Sequence, residues 1–231
     1  SDEMKNLYLE TMYSGQWAGT MCLTEPQAGS AVGDTVCKAT KDGDHYRIVG
    51  TKSFITSGDH NYTENIIHMV LARTEGAPEG IKGISLFLVP KHRVNADGSI
   101  GEFNDVRAAG IEHKMGIHAS PTCTLNFGDN DDCIGYLVGE ECRGITYMFQ
   151  MMNEARMMVG QQALGTAGTA YLSALEYTKE RIQGVHVSQM RNPEAPRVAI
   201  VEHPDIRRML LMMKAFTEGM RALLYTTALF A

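Results

Sequence analysis

The sequence predicts an α+β fold, an antiparallel β-barrel or sandwich followed by the long helices of an incomplete helical bundle. Three observations predict it. Before about residue 140, short β-type runs alternate with Gly, Pro and Asp turn clusters. After Gly144 the apolar residues recur with a period of about 3.6. The last residues, LLYTTALFA, stay apolar and carry no Gly or Asn to stop a helix.

The elements follow in order. Residues 1–16 are expected to be the tail of an N-terminal helical domain that the chain does not otherwise contain. Residues 17–138 are expected to be the β-domain. Its runs are Gly19–Thr24, Thr35–Thr40, His45–Gly50 continued by Thr51–Thr56, Glu64–Arg73, Gly83–Pro90 and Thr122–Phe127. Asp42-Gly43-Asp44 is a turn signal ahead of the third run. Residues 139–231 are expected to be the first helices of a truncated C-terminal helical domain. Ile145, Met148, Phe149, Met152, Val159 and Ala163 keep helical spacing, and the pattern runs to about Arg181. Gly160, Gly165 and Gly168 interrupt it; they weaken an isolated helix but let another helix or a ligand come close. After a Gly/Pro/Asn-containing stretch, Gln183–Ala199, a second helix starts at His203-Pro204-Asp205. Ile206, Met209, Leu210, Met213, Phe216, Met220 and Leu223 mark its apolar face. Two such helices on one β-domain leave apolar faces to be covered by further helices or another subunit.

The bulk composition narrows the function classes. The chain has 231 residues, 44% hydrophobic and 21% charged, with a formal net charge of -6 and no basic cluster. That argues against nucleic acid and anionic membrane surfaces as partners. No apolar run approaches the roughly 20 residues that span a bilayer, and the charged start SDEMKNLYLE is not a secretory signal. Cys22, Cys37, Cys123, Cys133 and Cys142 form no CxxC pair, which suits reduced thiols in the cytoplasm. The fifteen methionines, mostly in the helical half, read as adaptable core filler. The eight histidines show no metal-ligand spacing, and His113 and His118 read as structural or exposed. No phosphate-binding GxxxxGK[ST] loop occurs and no GxGxxG follows a strand, so any dinucleotide would be held outside a Rossmann frame.

Two segments carry the chemistry. MCLTEPQAGS, Met21–Ser30, is a strand followed by a Pro/Gly turn. Its backbone N–H groups and the hydroxyls of Thr24 and Ser30 suit a planar heterocycle or a phosphate, though as a bare pattern it reads first as an ordinary strand end. KSFITSGDH, Lys52–His60, places Phe54 and Thr56 on one strand face before a Gly turn, with the same two readings.

Together, in this order and spacing, the segments resemble the acyl-CoA dehydrogenase family. The likeness continues through HKMGIHASPTCTLNFGD (His113–Asp129), the Gly-rich turn and long helix from Tyr136 to Gly165, YTKERIQG (Tyr177–Gly184) and EHPDIRRML (Glu202–Leu210). It spans roughly Trp17 to the C-terminus. In detail it is similar to the longer bacterial branch that includes methylthiopropionyl-CoA dehydrogenase-like enzymes.

The resemblance implies an FAD-dependent α,β-dehydrogenation of an acyl-CoA thioester. A carboxylate removes the α-proton and the β-hydrogen leaves as hydride to flavin N5. It places Met21, Cys22, Leu23 and Thr24 along the pyrimidine side of the flavin and Phe54, Ile55 and Thr56 on the other edge. Gly29 and Ser30 approach the pyrophosphate, with Ser30 also near the CoA chain. Arg181 holds the flavin pyrophosphate of a neighbouring subunit; as an isolated residue it reads first as a solvated cation at a helix C-terminus. Asn153 and Arg156 meet substrate, and an ion pair of Arg156 with Glu154 is the competing role. No catalytic base is expected within the chain. The family's usual glutamate lies downstream of residue 231, and the minority position on this helix is Ala155; Glu154, about 100° around the helix, is the fallback. Electron-transfer flavoprotein is the implied electron acceptor, and a homodimer or homotetramer the implied assembly.

Departures from the family pattern bear on the phosphate contacts and on Arg181. Ala31 stands where an acidic residue is usual, Phe54 where Trp is common, Gly184 directly follows Gln183, and Val185–Ala199 reads as an insertion. Two other readings stay open: an acyl-CoA oxidase of the same fold, and a non-catalytic flavin or acyl-CoA binding module. A DNA-binding relative of the fold is opposed by the acidic balance.

Overall fold

Ser1 opens the first helix, α1 (Asp2–Tyr13), its hydroxyl accepting from Met4 N at 3.3 Å, with Asp2 and Glu3 in the positive first turn. The computed structural model describes residues 1–230. They divide into two compact units, one of residues 1–150 and one from Met151 onward.

The first unit holds ten strands: β1 (Trp17–Cys22), β2 (Lys38–Asp42), β3 (His45–Thr56), β4 (Asn65–Thr74), β5 (Ile84–Pro90), β6 (His92–Val94), β7 (Ile100–Phe103), β8 (Val106–Ile111), β9 (Thr122–Phe127) and β10 (Ile134–Leu137). Eight form one sheet in the order β1-β4-β5-β10-β3-β9-β8, with β2 paired to both β3 and β4. That double pairing closes β4, β5, β10, β3 and β2 into a ring. β6 and β7 form a separate hairpin. Pairing is antiparallel except where β1 and β2 run parallel to β4, β1 along Asn65–Val70 and β2 at Arg73 and Thr74. One face of the large sheet encloses Ile48, Ile55, Val70, Phe87, Leu125, Phe127 and four buried cysteines. On β4 the alternate residue Ile67 packs instead with Tyr8 of α1 and Trp17, whose rings lie 6.0 Å apart. Burial on both faces explains why this strand reads as a continuous apolar run.

The run expected from Thr35 pairs as a strand only from Lys38. A 3-10 turn at Val32–Asp34 precedes it, and the N–H groups of Val36 and Cys37 are taken by the Glu25 carboxylate. The short strands β6, β7, β8 and β10 gave no pattern of their own; β8 has one buried residue out of six.

Helix α2 (Gly144–Glu180) begins in the first unit and continues unbroken through all three interior glycines. In the second unit α3 (Pro204–Ala228) packs on it, with Pro204 in its first turn. A Cβ at Gly160 would meet Leu224 at 3.4 Å and one at Gly168 would meet Thr217 at 3.9 Å, so α3 lies over two of the glycines at distances that would also accept alanine. The inner face of α3 carries Ile206, Leu210, Met213 and Thr217. Met209, Phe216, Met220 and Leu223, expected on the same apolar face, are exposed. The Gly/Pro/Asn-containing stretch after α2 is a hairpin of β11 (Ile182–Val185) and β12 (Arg197–Ala199) around a 3-10 turn. Gly184 takes φ +75 at its base, where a Cβ would press on the His203 ring at 3.4 Å. Among the described residues no helix is long and apolar enough to cross a membrane.

Candidate functional site

In the first unit the two segments singled out from sequence are bonded directly to each other. Strand pairing of β1 ends at Cys22, and beyond it the chain is held by β3. Ser53 N donates to Thr24 O at 2.8 Å. Lys52 Nζ donates to Leu23 O at 3.1 Å and to Glu25 Oε1 at 2.8 Å. Glu25 also accepts from Val36 N at 2.8 Å, Cys37 N at 3.2 Å and Gln27 Nε2 at 2.6 Å. Its backbone closes the Pro26-Gln27 turn through reciprocal bonds with Ala28. Burial alone would raise the Glu25 carboxyl. The Lys52 charge and hydrogen bond, with two backbone N–H groups, outweigh it and hold the group below the ordinary carboxylate range.

Above this buried joint lies the wall. Met21 and Phe54 are exposed, Phe54 to 63%. The β3/β9 register shifts between Lys52 and Ile55, and inside this bulge Phe54 takes φ +60. A bulky side chain seldom adopts that conformation. Ile55 is buried and Thr56 exposed, so Phe54 and Thr56 do share the outer face. Ser57 is also left-handed, at φ +51, and a Cβ on Gly58 would stand 2.8 Å from Cys123 Cβ, which ties the end of the segment to β9. The hydroxyls of Thr24, Ser30 and Thr56 make no hydrogen bond among the described residues. At Gly29 an added Cβ would meet nothing within 4 Å, leaving the Gly29-Ser30 backbone open. Cys22 is enclosed; burial pushes its thiol up to about 12, so it contributes backbone and not a reactive sulfur. An outward aromatic ring, an apolar methionine, free hydroxyls and an open Gly-Ser turn fit a planar, polar-edged ring carrying a diphosphate.

The remaining candidates lie in the second unit. Asn153 and Arg156 are adjacent on α2, Arg156 NH1 donating to Asn153 Oδ1 at 2.9 Å. Glu154 is exposed and borders a groove of about 620 Å³ between α2 and α3, with Met157, Leu164, Leu172, Arg221 and Leu224. Arg181 is exposed and donates to Gln183 Oε1 at 3.3 Å. His203 Nε2 donates to Gln183 O at 2.7 Å.

Sequence reasoning passed over Lys52 and Glu25 although both lie inside the quoted motifs. Two charges 27 positions apart read as solvated residues until the strands bring them together. It also passed over His68, buried behind β1.

By class, this is the α+β fold in which a strand-rich middle domain is continued by long helices. The family profile "Acyl-CoA dehydrogenase, middle domain" matches residues 20–130, and "Acyl-CoA dehydrogenase, C-terminal domain" matches residues 142–230. The chain belongs to the acyl-CoA dehydrogenase family. It is 51% identical to a butyryl-CoA dehydrogenase of Syntrophomonas wolfei, covering 98% of this chain and 38% of that protein. It is 48% identical to the 3-methylmercaptopropionyl-CoA dehydrogenase of Ruegeria pomeroyi, with the same coverage. The solved butyryl-CoA dehydrogenase of Megasphaera elsdenii superposes with a TM-score of 0.75 at 28% identity, over 98% of this chain and 52% of that one. The chain thus spans 38% of the length of these curated relatives.

Proposed function

We propose that the complete gene product is an FAD-dependent dehydrogenase of linear acyl-CoA thioesters and that this chain supplies one wall of its flavin site. The bonded pair of segments carries the reading, because the residues left outward by it are those that suit a flavin ring. Met21, Leu23 and Thr24, with the backbone of Cys22, line the pyrimidine edge, and Phe54 and Thr56, with the backbone of the buried Ile55, cover the other. Gly29 and Ser30 take the pyrophosphate, and Arg181 that of a second copy. Ser30, Asn153 and Arg156 contact the acyl-CoA. Bound FAD would supply the acceptor for the β-hydrogen as hydride. The chain's part is to orient the ring, keep water from one face and offer hydrogen bonds to it.

The α-proton is assigned to a glutamate outside residues 1–231, with Glu154 as the alternative. Substrates named for the two curated relatives, butyryl and 3-methylmercaptopropionyl, are unbranched, which supports a linear chain here. Electron-transfer flavoprotein as acceptor, a homo-oligomeric state and a cytoplasmic location complete the proposal; five unpaired cysteines suit the last.

Anaerobic mixing of the FAD-loaded gene product with butyryl-CoA tests it. Bleaching of the visible flavin band, faster than with isobutyryl-CoA, is expected. No bleaching with any acyl-CoA would leave the binding-module reading in its place, and oxygen consumption at the rate of turnover would make the enzyme an oxidase.

A further inference from the structure

His68 of β4 is wholly enclosed and stands opposite Thr20 in the parallel β1/β4 ladder. Its Nδ1 is 2.7 Å from Thr20 Oγ1. The same hydroxyl is 3.3 Å from Cys22 Sγ, which lies 4.0 Å from Nδ1. Among the described residues Nε2 is the buried side-chain atom left without a hydrogen-bond partner. Burial pushes the imidazole down to about 3, so it carries one ring proton at neutral pH. On Nδ1 that proton would leave Nε2 a buried acceptor with no donor. On Nε2 it lets the Thr20 O–H donate to Nδ1 and the Cys22 S–H donate to Thr20. The Phe127 ring, 5.8 Å away and inclined at 87°, is in the T-shaped arrangement that lets an N–H edge meet a π face.

As a stabilising device this is a poor choice. A half-satisfied buried polar pair is worse for folding than two apolar residues of the same shape. Its place is informative: Thr20 and Cys22 are the last inward-facing anchors of β1 before strand pairing stops, directly behind Met21–Thr24. We propose that His68 is a positioning residue for this segment, acting through Thr20 to hold Cys22 and so the backbone that meets the flavin edge. The inference rests on the functional reading above.

The test uses the complete gene product as wild type, His68→Asn, and the double variant Thr20→Val/His68→Leu. The double variant's apoprotein is expected to melt no lower than wild type, to bind FAD at least tenfold more weakly and to show a shifted visible flavin band. His68→Asn, whose amide keeps a polar partner for Thr20, is expected to restore most of the affinity. Wild-type affinity and band in the double variant would overturn the inference, as would a loss of affinity that merely tracks a lower melting temperature. Ring-nitrogen NMR of the unmutated protein is expected to show the proton on Nε2, and a proton on Nδ1 would also overturn it. Wild-type protein that takes up no FAD defeats the functional reading first; FAD binding that the variants share defeats this inference alone.

Discussion

Lys52 Nζ stands 2.8 Å from Glu25 Oε1, and solvent reaches neither side chain. The pair joins the turn after β1 to the bulge of β3, beside the Ser53 N–Thr24 O and Lys52 Nζ–Leu23 O bonds, so both proposed flavin edges share one buried joint. Removing one partner of such a pair typically costs about 3–5 kcal/mol because the other charge stays buried. Lys52→Met should lose that much in urea unfolding at pH 7, and FAD binding with it. The pH dependence has a definite sign. Glu25 is held below its ordinary value in the folded chain. Its contribution is therefore present above the unfolded value of about 4.3 and lost as pH falls through the lower folded value. In Lys52→Met burial raises the same carboxyl, so the variant's penalty is relieved as pH falls through that raised value, and the gap between variant and wild type should already narrow between pH 7 and about pH 4. A gap that stays constant from pH 7 to pH 4 would mean that the carboxylate does not carry the penalty.

Phe54 holds φ +60 with its ring 63% exposed. Left-handed backbone costs a non-glycine residue about 1–2 kcal/mol. Phe54→Gly relieves that and pays about 0.5–1 kcal/mol in unfolded-state freedom. Apoprotein stability should therefore stay within about 1 kcal/mol of wild type although a large aromatic is lost. FAD affinity, followed by flavin fluorescence, should fall at least tenfold. A variant that binds FAD normally would remove Phe54 from the flavin wall.

The order of strands and helices was legible because each announces itself locally. β4 and β5 stand out as continuous apolar runs and β3 by its alternation, and Gly144 marks where helical spacing begins. What was not legible depends on long-range closure. β8 exposes five of its six residues, so no alternation betrays it. The parallel pairing of β1 and β2 with β4 leaves no local trace either. On α3 the apolar residues outnumber those one neighbour can cover, and the inner face could not be chosen from spacing alone. In the site, the outward residues Phe54 and Thr56 followed from strand alternation. The bulge, the positive φ and the Lys52–Glu25 joint did not, since each exists only once β9 and β1 are in place.

Gly144 begins α2 where the helix meets β5. An added Cβ would lie 2.7 Å from Leu86 N and press on the Ser85 backbone. At this first helical position alanine gains less than the about 0.8–1.0 kcal/mol it would gain in a helix interior. Overpacking against backbone costs about 1–3 kcal/mol, and backbone cannot swing aside as a side chain does. Gly144→Ala should be destabilised by about 1–2 kcal/mol in equilibrium unfolding. A variant as stable as wild type would show that the helix start can lift off β5.

Glu154 is the one carboxylate of the chain with a claim to the α-proton, and its surroundings argue against it. A catalytic base is held in place near its proton and gains from exclusion of water. Glu154 is exposed. Loss of a general base costs about 10²–10⁴ in rate. Glu154→Gln in the complete gene product should therefore keep kcat within about twofold, because the base proposed above lies outside residues 1–231. The measurement is steady-state turnover with butyryl-CoA and an artificial electron acceptor. A fall of a hundredfold or more with FAD content unchanged would move the base onto α2 and make this chain the carrier of the acid–base chemistry as well as of the flavin wall.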